Sequence, residues 1–447
     1  MKFSFVAVVG LALVASPAAF FSAKAAEAPH ATRAVRVSVD GRAVSRAIAD
    51  RASGALKDFY ASRNNRPLWA DDGIIGTSAQ VFLRILDEAA LDGLKPSRYR
   101  PDRIREMIAN ADSGNAEDVA RAEVSLSKAF ARYVRDVRRV KSGVGVEFAD
   151  RSLQPGKLDY ARILRAAAHV RSFDRYLKSM GWMSPHYVEV RDILRTARTQ
   201  GLDPHVIETI RLNLERTRYL PAPSVRHVVV DAGSARLWYY QAGEQAGTMR
   251  VVVGAKETQT PLLVGSLNYA VLNPYWNVPD YLVRNNVAAK ILAGRTLASM
   301  HMEALSDWSA TPARLDPAVI NWRAVASGEH DLRVRELPGP HNSMGRVKFI
   351  FPNDHGIYLH DTPNRDLFAK DDRHLSNGCI RLEKAWVLGR WMMGKSLEDQ
   401  AKGAGTEKAV PMTASVPVYL TYVTVTRDKK GRVVVRPDIY GLDQSKR

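Results

Sequence analysis

The chain has 447 residues, of which 46% are hydrophobic, 25% charged and 8% aromatic, and its formal net charge is +18. That composition excludes disordered, fibrous and collagen-like proteins, and the length suffices for more than one hydrophobic core. A field this positive attracts polyanions, but the sequence lacks zinc-finger spacing, RNP-type aromatics and a continuous basic stripe, so no nucleic-acid partner is expected and an anionic envelope surface fits better.

Residues 1–26 read as a signal peptide. Lys2 gives a positive start, Phe3 to Phe21 is an apolar run, and Ala23-Lys24-Ala25 fits the small-x-small cleavage pattern. An uncleaved anchor is the alternative, because a run of about 19 apolar residues almost spans a bilayer. Gly10 and Pro17 interrupt it, which favours cleavage after Ala25 or Ala26 and export to the periplasm. In an oxidising compartment the single cysteine, Cys379, stands out: it has no partner for an internal disulfide and is open to oxidation. A lone cysteine is most often a small buried hydrophobe, so its surroundings must decide its role.

Residues 27–45, rich in Ala and Arg, read as a linker, and 46–222 as a helical domain that packs against and positions the carboxy-terminal half. The clearest helix covers 115–142. There Val119, Leu126, Phe130, Val134 and Val137 form an apolar stripe, with Arg121, Lys128, Arg132 and Arg135 opposite. Asn115 or Ser113 is positioned to cap it and Gly143 to stop it. The run Arg135, Arg138, Arg139 and Lys141 reads as a solvated helix face.

After Pro221-Ala222-Pro223 the pattern changes to strands. Residues 228–230, 237–240, 249–253, 268–272, 346–351, 356–360, 416–426 and 432–436 are β-branched, aromatic or alternating, and Asp428 to Gly431 forms a hairpin turn. The fold class is therefore α+β: a helical scaffold domain, a mainly β domain over 223–426, and a hairpin strand and tail over 427–447. Residues 283–342, helical at first and then rich in Pro, Gly, Asp and Trp, interrupt the strands as a capping insertion or a surface excursion.

The segment from His355 to Lys384 carries the chemistry. Alternation over Gly356 to His360 puts Ile357 and Leu359 on one face and Tyr358 and His360 on the other. Ser376-Asn377-Gly378-Cys379 is a turn that delivers the thiol. A free thiol is mostly protonated at neutrality, and a neighbouring histidine activates it. His360 is the first candidate for that base, and His374 the second. His355 shapes a turn. Gly378 permits a tight backbone, so the N–H groups of 378 and 379 are candidates to face an oxyanion. Arg381 either forms a structural ion pair, the reading favoured here, or holds a substrate carboxylate. Zinc ligation by His355, His360, His374 and Cys379 is the bland alternative, but their spacing matches no standard finger.

These residues resemble the L,D-transpeptidase family, whose signature is a strand histidine followed by Ser/Thr-x-Gly-Cys-Ile/Val-Arg. Here His360 precedes Ser376-Asn377-Gly378-Cys379-Ile380-Arg381, 19 residues before the cysteine. The longer Gram-negative branch, with its amino-terminal scaffold, is matched by Tyr358 to Pro363, Phe351-Pro352-Asn353, Pro338-Gly339-Pro340, Asn273 to Pro279 and Leu214-Glu215-Arg216. Phe59-Tyr60 and Arg66 to Trp69 resemble that scaffold. Asn377 replaces the histidine of many members, and 170–222 leaves no room for a peptidoglycan-binding module.

The resemblance implies a cysteine acyltransferase of peptidoglycan stem peptides. Cys379 and His360 would be catalytic, with Gly378, Tyr358, Ser376 and Arg381 around the oxyanion and substrate. No cofactor or metal is implied, and carbapenems are the implied inhibitors. Alternatives are an L,D-carboxypeptidase or amidase, attachment of an outer-membrane protein to the wall, and a non-catalytic wall-binding scaffold.

Overall fold

The computed structural model describes residues 40–444 except 141 and 142, so the signal peptide and residues 27–39 of the linker lie outside the described residues. The first helix, Gly41–Arg51, begins inside the stretch read as linker.

The amino-terminal half is helical and built around α1 (Ala116–Val137), whose start is capped by Asn115 accepting from Glu117 N at 2.8 Å. The helix ends at Val137, before the expected stop at Gly143, and it buries far more than its apolar stripe. Trp69, Phe82 and Trp182 each pack edge to face on its Phe130. Glu123 is buried within this core, and its carboxylate accepts from Leu68 N, Trp69 N, Ala70 N and Tyr60 Oη at 2.6–3.1 Å. The Phe59-Tyr60 and Arg66 to Trp69 segments are thus tied together by one carboxylate. Arg138, read as solvated, donates to Trp182 O at 3.0 Å.

Two further helices, α2 (Pro185–Thr199) and α3 (Pro204–Thr217), start on a Ser or Asp cap followed by proline, the residue pre-set for the first helical position. They join the halves. Asn213 Oδ1 accepts from Thr424 N at 2.7 Å, and Arg216 Nη1 meets Asp443 at 2.7 Å.

The second half is a sheet closed on itself. Its strands are β1 (His227–Asp231), β2 (Arg236–Gln241), β3 (Glu244–Gly254), β4 (Leu263–Leu272), β5 (Val347–Ile350), β6 (Leu359–His360), β7 (His374–Ser376), β8 (Ile380–Leu382) and β9 (Lys408–Thr421). Around the closure the order is β5-β6-β8-β3-β2-β1-β9-β4 and back to β5, with β7 beside β3. Its interior holds Val228, Val251, Leu267, Phe349, Leu359, Ile380 and Val418, and α4 (Ala385–Met393) adds Leu388 and Met392 to that core.

Four expectations change. Residues 356–360 form a strand only at Leu359–His360, although Ile357 keeps its buried place. The 416–426 run is broken after Thr421, and the expected hairpin pairs Val425–Arg427 with Val433–Val435, with Val425 and Val433 packed on the helical core. Glu147–Phe148, within the half read as helical, pairs in parallel with β4. The insertion is more than loops. Met302–Leu305, Arg314–Leu315 and Arg333–Glu336 form a four-stranded sheet with Trp276–Asn277, which precedes the insertion, over a core of Val278, Val283, Val287, Trp322, Val325 and Val334.

Candidate active site

β6 and β8 run in parallel, with Leu359 opposite Ile380 and His360 opposite Arg381. Leu359 and Ile380 point into the barrel, so His360 and Arg381 point out of it. Two residues earlier, Tyr358 and Cys379 take the same outward face, tied by Ile380 N donating to Tyr358 O at 3.0 Å. On the other side, Lys348 of β5 is opposite His360. The outward face therefore gathers Lys348, Tyr358, His360, Cys379 and Arg381.

The nucleophile turn is rigidly held. Gly378 has φ of +105°, a region that side chains disfavour, and a Cβ there would stand 3.0 Å from Ile357 Cδ1. Ser376 Oγ donates to Cys379 O at 2.6 Å and accepts from Gly378 N at 3.2 Å. That last bond engages the Gly378 N–H, so of the two expected oxyanion donors only the Cys379 N–H is not already spent in this way. Sequence reasoning missed the support beneath. Thr260 Oγ1 donates to Gly378 O at 2.7 Å and accepts from Gly254 N at 2.9 Å. Thr258 Oγ1 donates to Ser376 O at 2.9 Å, and Tyr440, from the tail, donates through its hydroxyl to Gly254 O at 2.7 Å.

His360 is 2% exposed, and Nδ1 lies 2.6 Å from Asp361 O. A carbonyl only accepts, so Nδ1 carries the proton and Nε2 is left as the basic atom. Burial, with the charges of Arg381 and Lys348, pushes the imidazole down to about 3, against the pull of the Asp361 and Met344 carbonyls. The Cys379 side chain reaches solvent, yet burial of the sulfur pushes the thiol up to about 11, partly offset by the Tyr358 backbone N–H, Arg381 and Lys348. At rest Sγ points toward Gly356 O at 3.5 Å. The site thus holds a neutral thiol and a neutral imidazole.

The insertion and the segment just before it reach this face. Tyr281 is raised by burial and by the charge of Cys379, and Glu336 acts electrostatically on Arg381. Glu336 is held by Ser343, which donates through N at 2.6 Å and Oγ at 3.0 Å. Contrary to the structural ion pair favoured from sequence, Arg381 makes no ion pair among the described residues, and its buried Nε has no hydrogen-bond partner there.

The other histidines lie elsewhere. His374 has both nitrogens occupied, Nδ1 by Asp372 Oδ1 at 2.7 Å and Nε2 by Ala232 O at 2.9 Å. His355 Nε2 meets Glu147 at 2.7 Å on the surface. Among the described residues, no group of three or more His, Cys, Asp or Glu side chains is arranged to hold a metal.

Residues 225–416 match the model of the L,D-transpeptidase catalytic domain, and residues 54–194 match that of a scaffold domain. The chain carries an L,D-transpeptidase catalytic domain behind a scaffold domain. A Haemophilus influenzae protein that carries the provisional name of an L,D-transpeptidase is 27% identical over 395 residues, which cover 87% of this chain and 78% of that protein. Among solved structures, an L,D-transpeptidase from Mycobacterium smegmatis aligns over 44% of this chain and 58% of its own, at 12% identity and a TM-score of 0.23. A mutant of the Enterococcus faecium L,D-transpeptidase aligns over 44% and 49%, at 14% identity and a TM-score of 0.19. The likeness rests on the two domain matches. Both matches end short of the tail residue Tyr440.

Proposed function

We propose that the protein is an exported periplasmic enzyme that cross-links peptidoglycan through a Cys379 thioester. The observation that supports this best is the single outward face carrying Cys379, His360 and Tyr358 in a fixed backbone register. The thiol attacks the carbonyl of diaminopimelate in a tetrapeptide stem, and His360 Nε2 takes its proton as the carbon–sulfur bond forms. The Cys379 N–H and the Tyr358 hydroxyl stabilise the oxyanion; one such donor is worth on the order of 3 kcal/mol. The imidazolium then protonates the leaving D-alanine. An amine of a second stem attacks the thioester, gives its proton to His360 and restores the thiol, leaving a 3→3 cross-link.

Because both groups rest in their neutral forms, proton transfer accompanies attack and no preformed thiolate–imidazolium pair is needed. Arg381 is the candidate to bind a stem carboxylate, and the insertion, with Tyr281 just before it, shields the thioester from water. The net positive charge favours contact with the anionic envelope.

Purified disaccharide-tetrapeptide incubated with the enzyme tests the reading by mass spectrometry of the products. Cross-linked dimer with release of D-alanine is the expected outcome. Tripeptide alone would make the enzyme an L,D-carboxypeptidase, and dimer formed by a Cys379→Ala variant would remove the thioester from the mechanism.

A further inference from the structure

Lys348, His360 and Arg381 form one row across the outward face, because β5 pairs Lys348 with His360 and β6 pairs His360 with Arg381. Residues directly opposite in neighbouring strands share a face, with Cβ atoms about 5 Å apart. The imidazole therefore stands between two cations. Cys379 and Tyr358 form the next row, so the charges of Lys348 and Arg381 both act on the sulfur.

A lysine in this place is unusual. Its strand neighbours Val347 and Phe349 face the barrel core, and Lys348 itself is half-buried. Covering a lysine costs free energy that a partner carboxylate normally offsets. The opposite charges acting on Lys348 are Glu407, whose carboxylate accepts from Tyr275 N at 2.7 Å, and the Cys379 thiolate when it forms. Those acting on Arg381 are Glu336 and again Cys379. The remaining groups around the face are Tyr358, Tyr281 and, from the insertion, Lys290, the last acting on Glu336. Both cations thus have the sulfur in common.

We propose that Lys348 is a further positioning residue of the acyl-transfer site: beside His360 and facing Cys379, its ammonium keeps the imidazole neutral and, with Arg381, supplies the positive charge that steadies the thiolate. An imidazolium would be the usual source of that charge, but a base that must accept a proton is not available to provide it. Fixed cations on either side let one histidine serve as base while the sulfur still feels a positive field. The role rests on the reading of Cys379 as nucleophile.

The test is the pH dependence of Cys379 alkylation by iodoacetamide, a neutral reagent, on the mature full chain, the Lys348→Met variant and the Lys348→Arg variant, each checked for a native unfolding transition. Lys348→Met is expected to raise the apparent thiol pKa by about one pH unit, which slows alkylation about tenfold at fixed pH below it. Lys348→Arg keeps the charge and is expected to stay near the wild type. An unchanged profile in Lys348→Met, or an equal change in both variants, would overturn the proposal. Should Lys348→Met unfold, Lys348→Gln replaces it with the same two outcomes. Alkylation reads the charge effect whether or not the enzyme transfers acyl groups. An adduct with a carbapenem on the wild type, read separately by mass, reports on the nucleophile itself.

Discussion

Thr260 offers the sharpest test of how the nucleophile is held. Its hydroxyl, on a residue 3% exposed, satisfies two backbone groups at once, Gly254 N–H and Gly378 C=O. Replacing it with valine keeps the shape and leaves both groups unpaired in the interior. Each such loss costs about 1–3 kcal/mol, and with partial relaxation of the loop the sum is about 2–4 kcal/mol. For a catalytic domain of this size that lowers the thermal midpoint by roughly 5–10 °C. Gly378 precedes the nucleophile, and a displacement of about 1 Å at a reacting atom costs on the order of 100-fold in rate. The assays are thermal unfolding and the second-order rate of carbapenem acylation of Cys379, with Thr260→Ser expected to restore both. A Thr260→Val protein with the wild-type midpoint and acylation rate would rule out this role for the hydroxyl.

Three further outcomes are expected. Gly378→Ala forces a side chain into a φ of +105° and against Ile357, at a strain of about 1–3 kcal/mol, and should slow acylation at least tenfold while the fold, read by circular dichroism, survives. Glu123→Leu leaves the N–H groups of Leu68, Trp69 and Ala70 without their acceptor, and should lower the urea unfolding free energy by about 3 kcal/mol or more. The third concerns acid. The unfolded His360 titrates near 6.5 and the folded one near 3, so the folded state binds fewer protons between those values. Its contribution to stability is complete above about pH 6.5 and is lost as pH falls toward 3. Below pH 6.5 the stability difference between wild type and His360→Gln should therefore change by about 1.4 kcal/mol per pH unit, against the wild type, in urea titrations at successive pH values.

The parts of the protein legible in its sequence are those with strong local signals. The β-branched runs of β1 to β4 announce their strands, and the spacing of Val119, Leu126, Phe130, Val134 and Val137 announces α1. Alternation through Ile357, Tyr358, Leu359 and His360 gives the correct face for each side chain even where the strand itself is short. What escaped depends on distant pairing. Thr260 meets Gly378 across 118 residues, and Tyr440 meets Gly254 across 186, with no local pattern to mark either. The strands of the insertion and its sheet partner Trp276–Asn277 are two to four residues long, below the length at which alternation is informative. Glu123 looks like one more charge on a helix until the Leu68 to Ala70 segment folds over it. Lys348 likewise becomes conspicuous only when register sets it beside His360.

The most direct test of the acyl-transfer reading is intact-protein mass spectrometry of the mature chain after incubation with a carbapenem, beside a Cys379→Ala control. One adduct per chain on the wild type, mapped to Cys379 and absent from the control, is the expected result. A folded wild-type protein that remains unmodified, or an adduct that persists without the thiol, would contradict it.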